Sequence, residues 1–163
     1  MISFPNGKIN LGLYVTNRRN DGYHDLETVF YPLPYQDVLE VIQDQKSGLT
    51  FTQSGLTISG DSSSNLCVKA YQLLKEIKPD LPSTLLHLHK VIPMGAGLGG
   101  GSSDGTFALK LLNDKYQLGL TDTELIDLAL KLGSDCPFFV LNKPCIAKGR
   151  GELMQPIQLD LSK

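Results

Sequence analysis

A glycine-rich segment, PMGAGLGGGSSD at residues 93–104, constrains the fold of this chain of 163 residues more than any other feature. It contains five glycines and follows STLLHLHKVI, whose apolar residues alternate as in a strand with one buried face. Apolar side chains then recur at the spacing of one helical face, at Phe107, Ala108, Leu111, Leu112 and Tyr116. The sequence therefore predicts a strand, a tight loop and a helix, in that order.

The predicted loop has the properties of a phosphate-binding site. Glycines allow backbone N–H groups to converge on one point, and the start of the following helix adds the positive end of the helix dipole. The alternative is a flexible turn with a serine N-cap. Such a turn does not require the conformational entropy that this many glycines cost on folding. The segment therefore favours a binding site for phosphate groups.

Two other glycine motifs do not fit the surrounding sequence. Gly95, Gly97 and Gly100 satisfy the G-x-G-x-x-G of dinucleotide-binding folds. That motif requires a parallel strand after the helix and an acidic residue about 20 positions on, whereas another helical segment follows here. A Walker A loop requires a lysine directly before its serine or threonine, and Gly101 stands before Ser102. Both of these folds are therefore excluded.

The remaining segments predict an α+β domain. Strand candidates are residues 8–16, 26–33, 37–43, 49–53 and 136–141, together with the segment that follows residue 141. One more helix is predicted between Asn65 and Pro79, and another between the capping box at Thr121 and Glu124 and the stop at Gly133. Because the elements do not alternate regularly as β-α-β, we expect a mixed sheet packed against helices rather than a doubly wound parallel sheet.

Composition and charge exclude several classes of protein. The length suits one domain, and a net charge of −2 with scattered basic residues predicts no binding to nucleic acid or to a membrane surface. Cys67, Cys136 and Cys145 form no C-x-x-C pair and no even disulfide set, so we expect buried thiols. His87 and His89 share a strand face but lack a third metal ligand. The N-terminal residues lack a signal-peptide pattern, and we expect a cytoplasmic protein.

Four segments, in order, resemble the GHMP small-molecule kinase superfamily. They are KINLGLYV with DGYHDLETVF near the N-terminus, PMGAGLGGGSSD, GSDCPFF at residues 133–139, and AKGRGELMQPI near the end. The repeated glycines followed by Ser-Ser-Asp are similar to the 4-diphosphocytidyl-2-C-methylerythritol kinase branch of that superfamily. The chain departs from the family pattern at Asn6 and Gly7, which replace Pro-Ala, and at Gly105, where alanine is common.

The resemblance implies a fold and an activity. Residues 1–163 correspond to the GHMP kinase N-terminal domain, a ribosomal protein S5 domain 2-like fold, and the C-terminal domain of the family is absent from this chain. The implied reaction is ATP-dependent phosphorylation of the 2-hydroxyl of 4-diphosphocytidyl-2-C-methylerythritol in the non-mevalonate route to isoprenoids, with Mg²⁺. Because the second domain of the family closes the substrate cleft, we expect the isolated chain to have little or no kinase activity. Its oligomeric state is left open.

The resemblance also implies roles for residues outside the loop. Asp135 is the catalytic aspartate that activates the hydroxyl, and Lys8 lies beside it and stabilises the charge of the transferred group. Asn10 shares a strand face with Lys8 and is placed at the substrate. Tyr23 and His24 stack on and hydrogen-bond the cytosine. Without the resemblance, Asp135 reads as a turn residue and Lys8 as an exposed lysine at a sheet edge.

For ATP, the resemblance places the adenine near the start of the first predicted helix and the phosphates in the loop. The implied ATP-binding residues are Asn65, Leu66, Lys90, Pro93, Met94, Gly95, Ala96, Gly97, Leu98, Gly99, Gly100, Gly101, Ser102, Ser103 and Asp104. Ser102 or Ser103 is a candidate ligand of Mg²⁺. Gly105 is expected to loosen the start of the second helix, because glycine costs about 1 kcal/mol relative to alanine there.

Two other functions remain open at this point. A GHMP kinase for another alcohol, such as a mevalonate-like or homoserine-like substrate, has no need of the cytosine-binding residues in DGYHDLETVF. A non-catalytic nucleotide-binding module keeps the loop but has no need of Lys8 and Asp135 together.

Overall fold

The computed structural model describes residues 1–20, 22–45, 48–58 and 60–161. The strands in these ranges are β1 (Ile2–Ser3), β2 (Asn6–Arg18), β3 (His24–Gln36), β4 (Val38–Gln43), β5 (Leu49–Gly55), β6 (Thr84–Lys90), β7 (Cys145–Lys148) and β8 (Leu153–Pro156). The helices are α1 (Leu66–Ile77), α2 (Gly100–Tyr116), α3 (Asp122–Leu132) and α4 (Cys136–Leu141). A short 3₁₀ turn at Ser62–Ser64 precedes α1.

The strands form two four-stranded sheets. The first sheet has the order β1-β4-β6-β5 and is mixed, because β5 runs parallel to β6 and the other pairs are antiparallel. The second sheet has the order β2-β3-β7-β8 and is antiparallel throughout. The predicted α+β class and the mixed sheet packed against helices are confirmed. The sequence patterns do not reveal that the strands divide into two sheets.

The larger core lies between the first sheet and helices α1 to α3. Leu39 and Val41 of β4 and Leu86 and Leu88 of β6 are fully buried, because alternate residues of a strand point to the same face. The helical residues of this core include Cys67, Ala70, Leu74, Ala108, Leu109, Leu112 and Ala129. This packing holds α2, and therefore the end of the glycine-rich loop, against the sheet.

The prediction of a strand at residues 136–141 is wrong, because this segment forms helix α4. A short apolar run does not by itself distinguish a buried strand from a buried helix. Its proline lies in the first helical turn, where a fixed φ and a missing N–H are tolerated, and Asp135 holds the N-cap position. Phe138 and Phe139 are fully buried and share a second, smaller core with Phe30 of β3. This core packs α4 against the second sheet.

The helix boundaries that were predicted from capping residues are confirmed. The Asn65 side chain accepts a hydrogen bond from the N–H of Cys67 at the start of α1. At α3, Thr121 and Glu124 form both hydrogen bonds of a capping box, and Gly133 follows the last turn. Each of these boundaries depends on residues that are close in the sequence, which is why the sequence reveals them.

The cysteines are buried, and two of the histidines are hydrogen-bonded within the first sheet. All three cysteines are free and buried, as predicted. His87 and His89 each hydrogen-bond the hydroxyl of Ser54, at 2.9 Å. Among the described residues, no group of three His, Cys, Asp or Glu side chains is placed to hold a metal ion. None of the helices in the described ranges is long and apolar enough to cross a membrane.

Candidate active site

The glycine-rich loop joins β6 to α2 through a backbone that repeatedly enters the left-handed region. Gly95, Gly97 and Gly99 have φ of 72°, 74° and 67°, where a side chain is strained. Gly99 is also the N-cap of α2, so the unpaired N–H groups of the helix start lie at the end of the loop. The backbone N–H of Lys8 donates to the carbonyl of Leu98 at 2.8 Å and fastens the loop to β2. The loop therefore has the backbone conformation of an anion-binding nest.

The loop lies directly on two lysine side chains. A Cβ at Gly99 would lie 3.0 Å from Cε of Lys8 and 3.2 Å from Cζ of Phe139. A Cβ at Gly100 would lie 2.9 Å from Nζ of Lys90. A side chain at either position would therefore force these neighbours to shift, and at Gly99 it would also meet the strain of the left-handed backbone.

Gly99→Ala is expected to lower the free energy of unfolding by at least about 1–2 kcal/mol, the cost of a left-handed residue that carries a Cβ. Gly101→Ala is the matched control, because Gly101 lies within α2 and its Cβ would meet Cε of Met94 at an ordinary 3.6 Å. Alanine stabilises a helix by about 1 kcal/mol relative to glycine, so we expect this variant to be at least as stable as the wild-type protein. Urea denaturation measures both, and equal stabilities of the two variants would contradict this account of Gly99.

Two adjoining cavities share Leu66, Met94 and Gly101 in their walls. The first, of about 330 Å³, lies at the start of α1, and the second, of about 310 Å³, follows the loop. The predicted ATP-binding residues that line at least one of them are Asn65, Leu66, Pro93, Met94, Gly95, Ala96, Gly97, Leu98, Gly99, Gly100, Gly101 and Ser102. The structure therefore brings most of the predicted ATP-binding residues into one continuous depression.

The other three predicted ATP-binding residues, Lys90, Ser103 and Asp104, are buried and line neither cavity. The ammonium of Lys90 donates to Oδ2 of Asp37 at 2.5 Å and to Oδ2 of Asp104 at 2.8 Å. We refer to Asp37, Lys90 and Asp104 as the buried triad. Since Lys90 has both carboxylates as partners and no exposed surface, its side chain lies beneath the loop rather than in the cavities.

The buried triad holds both ends of the glycine-rich loop. Oδ1 of Asp37 accepts the backbone N–H groups of Val91 and Ile92, the first residues after β6. Asp104 lies in the first turns of α2, directly after the loop. Lys90 joins the two carboxylates, so one ammonium ties the entry of the loop to its exit.

Burial raises the pKa of the Asp104 carboxyl from its ordinary 3.8 to about 7. The ammonium of Lys90 opposes this rise, and the negative charge of Asp37 adds to it. Oδ1 of Asp104 is buried and has no hydrogen-bond partner among the described residues. Asp104 therefore takes up a proton near neutral pH in the folded protein.

Ionisation of Asp104 is expected to make the protein less stable as the pH rises. The carboxyl ionises near pH 3.8 in the unfolded chain and near pH 7 in the folded protein, so the folded state binds more protons between these values. Its contribution to the free energy of unfolding then falls by up to about 1.4 kcal/mol per pH unit and stays low above pH 7. Urea denaturation of wild-type protein and Asp104→Asn across this range measures the effect. A difference between the two that does not change with pH would contradict the raised pKa.

Lys8 and Asp135 form the ion pair that the resemblance implies. Nζ of Lys8 lies 3.1 Å from Oδ2 of Asp135 and donates to Oδ1 of Asn10 at 2.6 Å. The Lys8 side chain is 6% exposed, which rules out the alternative of a solvated lysine at a sheet edge, whereas that of Asp135 is 37% exposed. The amide of Asn10 donates to the hydroxyl of Thr28 at 3.0 Å. A half-buried carboxylate therefore faces solvent beside a buried ammonium, next to the loop.

Tyr23 and His24 are exposed, with His24 as the first residue of β3 and Tyr23 directly before it. Asp21 of the same motif lies outside the described residues. The guanidinium carbon of Arg150 lies 3.6 Å from the centroid of the Tyr23 ring. The sequence motifs do not predict this contact, because the two residues belong to separate segments.

Residues 65–143 match the family described as GHMP kinases N terminal domain. The whole chain is similar to known kinases. It is 53% identical over 163 residues to 4-diphosphocytidyl-2-C-methyl-D-erythritol kinase of Bacteroides fragilis, covering 99% of this chain and 59% of that relative. A crystal structure of 4-(cytidine 5′-diphospho)-2C-methyl-D-erythritol kinase matches with a TM-score of 0.82 and 39% identity, covering 98% of this chain and 56% of the other.

The chain shares its fold with kinases named for other substrates. Mevalonate kinase of Methanococcus jannaschii matches with a TM-score of 0.73 and 15% identity, covering 97% of this chain and 56% of the other. At that identity the likeness concerns the fold alone. The chain spans 59% of the length of the Bacteroides fragilis relative.

Sequence patterns miss Asp37 and one wall of the first cavity. Asp37 reads as the first residue of a strand, and a lone aspartate between two strands carries no local signal of burial. The segment DSSSN at residues 61–65 predicts a polar loop before a helix cap. In the structure Asp61, Ser62 and Ser64 of this segment also line the first cavity. The lining residues that sequence patterns miss are Phe51, Gln53, Ile58, Gly60, Asp61, Ser62 and Ser64. They lie in β5 and between β5 and α1, and only the fold brings them against Met94 and Gly101 of the glycine-rich segment.

Gly105 packs α2 closely against the start of α1. A Cβ at this position would lie 2.7 Å from Cβ of Leu66 and 3.3 Å from its backbone carbonyl oxygen. The expectation that Gly105 only loosens the helix start takes no account of this contact. Glycine permits the close approach of two helices here, at the expense of helix propensity.

Proposed function

We propose that this chain is the ATP-binding and catalytic domain of a kinase that phosphorylates the 2-hydroxyl of 4-diphosphocytidyl-2-C-methylerythritol. One observation carries the proposal: the ion pair of Lys8 and Asp135 lies in contact with the glycine-rich loop through Gly99. A phosphate nest beside a carboxylate and a buried ammonium supplies what phosphoryl transfer requires, namely positioned phosphates, charge stabilisation and a prepared hydroxyl.

Each of the three polar residues beside the loop has a role in this reaction. Asp135 accepts the proton of the attacking hydroxyl, since its carboxylate faces solvent. Lys8 stabilises the negative charge of the transferred group and keeps the Asp135 side chain in place. Asn10, which is hydrogen-bonded to Lys8, orients the acceptor. The nearly complete burial of Lys8 excludes water from its ammonium and strengthens these interactions.

ATP fits the two adjoining cavities. The first is large enough for a nucleobase, and Asn65 and Leu66 line it. The second follows the glycine-rich loop, where the backbone N–H groups bind phosphate oxygens. Mg²⁺ bound with the nucleotide neutralises phosphate charge, and Ser102 is the serine that fits it, because Ser102 lines the second cavity whereas Ser103 is fully buried.

The identity of the acceptor rests on the relatives and on the exposed pair Tyr23 and His24. The relatives of 39% identity or more, reported above, are named for the cytidine-linked alcohol. An exposed aromatic ring and an imidazole are suited to stacking on a pyrimidine and hydrogen-bonding its edge. We further propose that the chain works together with a C-terminal domain like that of its longer relatives, and that the protein is cytoplasmic.

The test is a phosphoryl-transfer assay with ATP and three alcohols, on the longest natural protein that contains these residues. We expect transfer to 4-diphosphocytidyl-2-C-methylerythritol at a rate at least about 100-fold above that for mevalonate or homoserine, because a site built for a polar base discriminates strongly against acceptors that lack it. Preferred transfer to mevalonate or homoserine would favour the other-alcohol alternative. Binding of ATP without transfer to any of the three would favour a non-catalytic module.

A further inference from the structure

Arg150 lies in the connection between β7 and β8, with its guanidinium stacked on the ring of Tyr23. The guanidinium carbon is 3.6 Å from the ring centroid, a distance at which a cation and an aromatic face attract each other. Tyr23 remains 48% exposed, so the stack leaves much of the ring open to a ligand. One cation and one aromatic ring therefore form a joint surface beside His24.

The backbone around Arg150 is fixed to both parts of the proposed substrate site. The carbonyl of Gly149 accepts the N–H of Leu26 in β3 at 2.7 Å, and the N–H of Arg150 donates to Oε2 of Glu152 at 2.7 Å. A Cβ at Gly151 would lie 3.1 Å from the carbonyl oxygen of Ser134, the residue before the proposed catalytic aspartate. Arg150 is therefore anchored between the Tyr23 ring on one side and the segment that carries Asp135 on the other.

The charge of Arg150 has no carboxylate partner within the described part of the chain. It forms no ion pair there, whereas Lys8, Arg19 and Lys148 each have a carboxylate partner. Nε of Arg150 is buried and has no hydrogen-bond partner among the described residues. Because Nε is closed to solvent, the terminal NH2 groups of the guanidinium are the donors that a ligand can reach, and their planar arrangement matches phosphate oxygens.

We propose that Arg150 binds the diphosphate of the acceptor substrate and sets the preference of the site for a nucleoside diphosphate. This inference rests on the proposed function. In that substrate the diphosphate joins the cytidine to the reacting alcohol, so a residue between the base-binding Tyr23 and the catalytic Asp135 lies where the diphosphate must pass. Tyr23 holds the guanidinium over the face of its ring, and charge-assisted hydrogen bonds to the diphosphate add to the stacking of the base.

The test compares the binding of cytidine and of cytidine 5′-diphosphate by calorimetry, with the ATP site saturated by a non-hydrolysable ATP analogue. We expect wild-type protein to bind the diphosphate at least about tenfold more tightly than cytidine, which corresponds to about 1.4 kcal/mol. Arg150→Gln is expected to remove most of this ratio and to leave the affinity for cytidine within about threefold, because the stacked ring remains. Arg150→Lys keeps the charge without the planar fork and is expected to give an intermediate ratio.

Lys148→Gln is the matched control, because it also removes one positive charge and lies two residues before Arg150. The Lys148 side chain pairs with Glu27 and is 58% exposed. Lys148→Gln is expected to leave the ratio unchanged. Wild-type protein that binds neither ligand would overturn the proposed function. The role of Arg150 alone would be overturned by another result. In it, the wild-type protein has the expected ratio, and the Arg150→Gln variant binds the ATP analogue normally and keeps the same ratio.

Discussion

Asp135→Asn is expected to lower kcat by about 10²–10⁴-fold, the usual contribution of a general base, with KM for both substrates changed by less than about threefold. Asparagine has the size of aspartate but does not accept a proton from the hydroxyl. Because Lys8 also donates to Asn10, its ammonium stays near the loop in the variant, and ground-state binding of ATP is retained. Steady-state kinetics with each substrate varied in turn separates the two parameters.

Asp127→Asn is the matched control for this experiment, since Asp127 is an exposed residue of α3 and lines neither cavity beside the loop. Its kcat and KM should equal those of the wild-type protein. Wild-type turnover by Asp135→Asn would show that this carboxylate has no part in catalysis. A large rise of KM at unchanged kcat would instead assign Asp135 to binding.

Lys90→Met is expected to lower the free energy of unfolding by about 3–5 kcal/mol, the cost of removing one partner from a buried ion pair. Methionine is of similar length but carries no charge, so Asp37 and Asp104 are left facing each other away from solvent. Adding Asp104→Asn to Lys90→Met should recover part of the loss at about pH 8–9, because the Asp104 carboxyl, whose pKa is raised to about 7 even beside Lys90, must there be ionised without a partner or take up a proton. Urea denaturation at constant pH measures all three proteins.

The control for this series is Lys69→Met, because Lys69 is an exposed residue of α1 and a surface substitution of this kind changes stability by about 0.5 kcal/mol or less. A Lys90→Met variant within about 1 kcal/mol of the wild-type protein would contradict the buried triad. So would a double variant that is less stable than Lys90→Met alone. Because the buried triad holds both ends of the glycine-rich loop, Lys90→Met should also bind ATP less tightly than the wild-type protein.

The parts of the fold that were predicted correctly are those with local causes. The capping box at Thr121 and Glu124, the cap at Asn65 and the glycine loop between β6 and α2 each depend on residues within a few positions of one another. Helix α4 was missed because its six residues are apolar throughout, so that no period separates a strand from a helix. Its burial between α2 and the second sheet, rather than its own sequence, decides its conformation.

The candidate site was predicted less completely, and for a different reason. Lys8 and Asp135 meet only in the folded chain, and the resemblance to GHMP kinases rather than any local pattern paired them. Lys90 and Asp104 flank the loop in sequence, yet their side chains are buried together with Asp37. No residue near Asp37 in the sequence indicates that its carboxylate is buried. The roles of the site residues, the cytoplasmic location and the absence of nucleic-acid partners stay predictions.

The central claim is that ATP gives its phosphoryl group to the cytidine-linked alcohol at the pair of Lys8 and Asp135. It is tested most directly by following radioactive phosphate from [γ-³²P]ATP in the presence and absence of 4-diphosphocytidyl-2-C-methylerythritol. We predict that the label appears on the alcohol, that its transfer depends on that acceptor, and that Asp135→Asn slows the transfer by about 10²–10⁴-fold. Label that appears only as free phosphate, at the same rate with and without the alcohol, would contradict the claim.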